Sequence, residues 1–128
     1  MPAHILIANR GEIAIRIMRT ASDLNIKTTA VFATDDALSL HTRQADAAVS
    51  LELEGVAAYL EQTKLIDIAR ECGCDAIHPG YGFLSESAEF AAACQDAGIT
   101  FIGPQAETLS LFGDKAAARG LAESCGVP

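Results

Sequence analysis

The stretch "HILIANRGEIAIRIMRTASDLNIKTTAVFA", residues 4–33, decides the fold. It opens on "HILIA" (4–8), a short apolar run of strand type. "GEIAIRIMRTASDL" (11–24) follows, with Ile13, Ala14, Ile17, Ala21 and Leu24 at the three- and four-residue spacing of one helix face. "TTAVFA" (28–33) is β-branched and apolar again. A strand, a helix and a second strand, with strands apolar throughout, form the repeating unit of a parallel sheet buried on both faces.

The alternation continues along the chain. "TDDALS" is polar turn material, residues 41–45 read as a helical turn, and "AAVSL" (47–51) as a third strand. "YLEQTKLIDIAREC" is a helix with Leu60, Leu65, Ile68 and Ala69 facing inward. "DAIHP" is a brief fourth strand stopped by Pro79, "SAEFAAACQDAG" a helix closed by Gly98, and "ITFIG" a fifth strand. With the right-handed crossover rule, this pattern predicts an α/β, Rossmann-like, three-layer parallel sheet of about five strands. Ligands in such sheets gather beyond the carboxyl ends of the strands. Three unusual loops begin there: "ANRGE", "TDDAL" and "HPGYGFLSES".

Composition narrows the function classes. Half of the 128 residues are hydrophobic, enough for one domain with a largely aliphatic core, and tryptophan is absent. The formal net charge of -8 argues against nucleic acid or an anionic membrane as partner. No apolar run approaches the ~20 residues of a membrane span. The start lacks a signal-peptide pattern, which points to the cytoplasm or a comparable reducing compartment, the mitochondrial matrix in a eukaryote. Cys72 and Cys74 form "CGC", and Cys94 and Cys125 stand alone. None of these spacings matches a zinc site, so no metal site is expected and the cysteines read as free thiols.

The candidate sites follow from the loops and the helix faces. The first turn, "ANRGEIA", has one glycine where a dinucleotide fingerprint needs three, and Glu12 stands where a phosphate would approach. Asp35 and Asp36 end the second strand, where a ribose-binding acid would sit, yet an acid there is also ordinary turn chemistry. On the first helix, Glu12, Arg16, Arg19 and Asp23 share a face opposite the apolar stripe. Spacing alone reads that face as solvated i,i+4 pairs rather than an interface. In "FGDKAAAR", Lys115 follows Asp114 at the start of a predicted helix. It is either an exposed lysine or a phosphate clamp.

"HPGYGFLSES" (78–87) places Tyr81 between Gly80 and Gly82, with Phe83 and Leu84 as an apolar anchor and Ser85 as the cap of the next helix. It either closes one end of the sheet or presents Tyr81 and glycine amides to a ligand. A histidine beside a proline, as His78 is, is more often structural than catalytic.

Taken together, "ILIANRGEIAIRIMR", "HPGYGFLSES", "FIGP" and "GDKAAAR" resemble the N-terminal domain of biotin carboxylase, in order and spacing, over essentially the whole chain. Ser87 stands where that family commonly has asparagine, and "SLELEGVAAYLEQ" departs from its usual connection. The resemblance implies the pre-ATP-grasp fold, with residues 1–112 as this domain and 113–128 as the start of a following ATP-grasp domain. It implies an enzyme that uses ATP, Mg2+ and bicarbonate to carboxylate biotin on a carrier domain, which then serves a carboxyltransferase. By the same resemblance, Lys115 contacts ATP, and His78, Gly80, Tyr81 and Gly82 line the biotin side of the active site. Arg16 and Arg19 lie at a homodimer interface. No catalytic residue is expected in this chain, and the chain alone is expected to be inactive. An NAD(P)-binding Rossmann domain and the equivalent domain of a carbamoyl-phosphate-synthetase-like ligase are the alternatives.

Overall fold

The computed structural model describes residues 2–103. Five parallel strands form one sheet: β1 (His4–Ile7), β2 (Lys27–Phe32), β3 (Ala47–Ser50), β4 (Ala76–His78) and β5 (Thr100–Phe101), in the order β3-β2-β1-β4-β5. The helices between them are α1 (Gly11–Asp23), the short α2 (His41–Gln44), α3 (Gln62–Glu71) and α4 (Ala88–Asp96). The architecture is the expected α/β sheet. All five strands begin and end within one or two residues of the sequence reading, β5 keeping only Thr100–Phe101 of "ITFIG".

Alternate side chains of β1 serve different layers, because successive residues of a strand point to opposite faces. Ile5 and Ile7 pack with Ala14, Met18 and Ala21 of α1. Leu6 packs on the other face with Ile77, Leu65, Ile68 and Phe90 from β4, α3 and α4. Each face alone is apolar, so the central strand reads as a continuous hydrophobic run.

Two inward-facing expectations are corrected. The buried residues of α1 are Ala14, Ile15, Met18 and Ala21, whereas Leu24 is 51% exposed. The helix is rotated about its axis relative to the predicted stripe. Ile13, Ile15, Ile17 and Met18 make it apolar over much of its circumference, so periodicity alone does not select the buried arc. Leu60 is likewise exposed, because Val56–Leu60 is a 3-10 turn and α3 begins only at Gln62. Tyr59, in that turn, is fully buried and carries the packing.

Candidate functional site

In the order β3-β2-β1-β4-β5, chain direction across the sheet reverses between β1 and β4. The carboxyl ends of these strands define the crevice where open α/β sheets bind ligands. Here the crevice is closed by one side chain. Asn9 follows β1 and is 1% exposed. Its Nδ2 donates to the carbonyls of Pro79 and Tyr81, both at 2.8 Å, and its Oδ1 accepts from the Arg10 N–H at 2.8 Å. Gly80 lies against the same side chain at φ +71°, and a Cβ there would sit 2.6 Å from Asn9 Nδ2. The Gly80 N–H donates in turn to His78 Nδ1 at 3.0 Å, which leaves the imidazole proton on Nε2. Burial lowers the pKa of His78. With its Nδ1 lone pair engaged by the Gly80 N–H, the imidazole braces the loop that it opens.

The loop therefore turns two carbonyls inward and Tyr81 outward, where its side chain is 80% exposed. Among the described residues nothing accepts from the N–H groups of Tyr81 and Gly82. Leu84 is buried and Phe83 half-buried, its ring 5.6 Å from that of Tyr59, so the predicted apolar anchor is present. Phe83 holds φ +46°, a costly value for a bulky residue. The expected helix cap is corrected: Ser85 lies within the 3-10 turn Phe83–Glu86, and Ser87 caps α4 by accepting from the Phe90 N–H at 3.1 Å.

The acid at the end of β2 is engaged elsewhere. Asp36 accepts from Arg10 Nε and Nη2, both at 2.7 Å, and from the Tyr59 hydroxyl at 2.6 Å. The Arg10 guanidinium, helped by Tyr59, lowers the Asp36 pKa to about 2. Burial and then Asp36 push Tyr59 up to about 12. Asp35 accepts from the Gly55 N–H at 2.9 Å. Behind them His41 is fully buried, its Nε2 donating to the Val31 carbonyl at 3.1 Å and its Nδ1 without a partner. Burial lowers its pKa. With the first turn closed by Asn9 and Asp36 committed to Arg10, neither a pyrophosphate nor a ribose has the groups a dinucleotide site requires.

The remaining expected residues separate. Arg16 borders a groove of about 360 Å³ whose walls include Ile5, Ile17, Leu24 and Ile26, and His78 reaches its edge. Arg19 faces a different depression, beside Met18, Ser22, Asp23 and Gln44. Among the described residues the ion pairs are Arg10–Asp36 and Lys64–Glu52, so the anticipated Glu12–Arg16 and Arg19–Asp23 pairs do not form. Lys115 and the 112/113 domain boundary lie outside the described residues. No group of three or more His, Cys, Asp or Glu among the described residues could hold a metal ion. No helix among them is long and apolar enough to cross a membrane.

Sequence reasoning missed Asn9, Arg10 and Tyr59. An asparagine in a turn is ordinary, and only its burial marks it. The signal available was a polar residue placed directly after the apolar run Ile5–Leu6–Ile7–Ala8, all four of which are buried.

The family model "Biotin carboxylase, N-terminal domain" matches residues 1–109. The chain is 50% identical over 125 residues to a biotin carboxylase of Halalkalibacterium halodurans, covering 97% of this chain and 28% of that protein. It covers only 11% of the mitochondrial pyruvate carboxylases of rat and mouse that it also matches. Among solved structures, the biotin carboxylase domain of a single-chain bacterial carboxylase superposes with TM-score 0.96 at 56% identity, over 98% of this chain and 29% of that one. The biotin carboxylase domain dimer of a Hydrogenobacter thermophilus 2-oxoglutarate carboxylase, in complex with MgADP, ADP and bicarbonate, gives TM-score 0.97 at 41% identity, over 100% of this chain and 28% of that one.

Proposed function

The chain belongs to the biotin carboxylase N-terminal domain family, and from that premise we propose that it is the opening domain of a biotin-dependent carboxylase. Residues 1–112 are this domain, and 113–128 lead into an ATP-grasp domain. ATP with Mg2+ activates bicarbonate there, and biotin on a carrier domain takes up the carboxyl group for a carboxyltransferase. This domain's share is to shape one wall of that site. The observation that carries the reading is Tyr81, 80% exposed on a loop pinned at the switch point of the sheet. Its ring gives the bicyclic biotin head a flat apolar surface, and the N–H groups of Tyr81 and Gly82 give a polar edge. Gly80, Gly82 and His78 hold the ring in place and do no chemistry. Lys115 reaches the ATP phosphates. Arg16 and Arg19 belong to a homodimer face, in keeping with the dimeric 2-oxoglutarate carboxylase domain. Binding of Mg2+ and bicarbonate and cleavage of ATP are assigned to the ATP-grasp domain.

The test is a chimera in which residues 1–109 replace the matched domain of the Halalkalibacterium halodurans biotin carboxylase. Bicarbonate-dependent ATP cleavage stimulated by free biotin is expected. Tyr81→Ala should raise KM for biotin about tenfold, the loss of one good aromatic contact, and leave KM for ATP within about twofold. A Tyr81→Ala chimera with unchanged biotin KM overturns the assignment of the loop.

A further inference from the structure

We infer that Asn9 is the positioning residue of the Tyr81 loop, a latch that sets where the exposed ring stands without touching a ligand itself. The inference rests on the reading of that loop as a ligand wall, but the latch can be tested apart from it.

Three features of the geometry single out Asn9. Its carboxamide uses both Nδ2 protons on the loop, one on Pro79 O and one on Tyr81 O, so it grips the chain on either side of Gly80. Its Oδ1 is held by the Arg10 N–H at 2.8 Å, which fixes which end of the amide faces the loop. Gly80 then fits against it with no room for a Cβ, 2.6 Å from Nδ2 and 3.0 Å from Cβ and Cγ. Donors and shape thus interlock across 70 residues of sequence, joining the turn after β1 to the turn after β4. Arg10 is itself tied to Asp36, so the latch stands on a braced base.

The residue type follows from this. Aspartate has the same outline but, ionised, sets an oxygen against two carbonyls in place of two donors. Alanine leaves both carbonyls without the donor they have, and the Pro79 carbonyl is bonded in a buried position where its loss is costly. Only asparagine supplies two donors and one acceptor at that length of side chain.

Limited proteolysis of the 128-residue chain tests the latch. Chymotrypsin cuts after exposed aromatics only where the backbone can open locally. With each protein held equally far below its own Tm, Asn9→Ala is expected to be cut at Tyr81–Gly82 about tenfold faster than a core control, Val31→Ala. Equal rates at matched distance from Tm overturn the latch, because the effect is then one of overall stability. Should Asn9→Ala not fold, Asn9→Ser, too short to reach both carbonyls, is measured against the same control. In the chimera, Asn9→Ser should raise biotin KM while sparing ATP KM. If Tyr81→Ala raises biotin KM and Asn9→Ser does not, the latch fails and the wall stands. If Tyr81→Ala leaves biotin KM unchanged but Asn9→Ser frees the loop to protease, the wall fails and the latch stands.

Discussion

The Asp36 carboxylate accepts from Arg10 twice and from Tyr59 once, and its pKa falls to about 2. In an unfolded chain the same group titrates near 3.9. A folded-state pKa below the unfolded one stabilises the native chain above that range. The stabilisation is lost as pH falls from about 4 to about 2. The linked contribution at neutral pH is about 2 kcal/mol. Urea unfolding of wild type between pH 5 and pH 2 should show this loss, and Asp36→Asn should start lower and fall less steeply across the same window. Parallel slopes in the two proteins would remove the brace as the source. At this scale the sequence is least legible. Asp36 reads as a possible ribose ligand because its true partner is 26 positions upstream, and Arg10 reads as part of a turn. Asn9 carries no periodic signal at all; its role comes from a loop 70 residues away.

Among the elements, α4 shows how a local rule is applied two residues off. A serine side chain accepting an orphan N–H of the first turn stabilises a helix by about 1 kcal/mol. Ser85 and Ser87 both suit that role by composition. The backbone decides for Ser87, since Phe83–Glu86 already forms a 3-10 turn whose Ser85 N–H donates to Gly82 O and whose Leu84 O accepts from the Ser87 N–H. Ser87→Ala should therefore lower the unfolding free energy by about 1 kcal/mol, against roughly 0.5 kcal/mol or less for Ser85→Ala. Chemical denaturation of the two variants distinguishes them, and the reverse ranking would return the cap to Ser85. The five strands and the α-helices between them were legible, because short apolar β-branched runs and runs with helical spacing differ in pattern. The buried arc of α1 was not, because four large apolar residues spread around it leave the choice to the sheet. The 3-10 turn around Tyr59 was not legible either, since its fold depends on the hydroxyl finding Asp36 and Ala33.

For the whole molecule, strand–helix alternation predicts the parallel sheet, and the strand order then places the candidate site. What alternation does not give is the surface that α1 presents. Leu24 is half-exposed beside Ile17, Ile26 and Arg16, in a groove of about 360 Å³. If this face with Arg19 belongs to a homodimer, Arg19→Glu should weaken association of the chimera about tenfold or more by sedimentation velocity. A wild-type chimera that sediments as a monomer removes the interface. The strand order has another consequence, for synthesis. β1 is first in sequence and central in the sheet, and its neighbour β4 ends at His78. Until that part of the chain leaves the ribosome, Ile5, Leu6 and Ile7 form an open apolar edge, the kind that pairs with other chains. The nascent protein is thus most prone to aggregation when β1, β2 and β3 are made and β4 is not. Chaperone crosslinking to stalled nascent chains should peak in that interval and drop once Ala76–His78 has emerged.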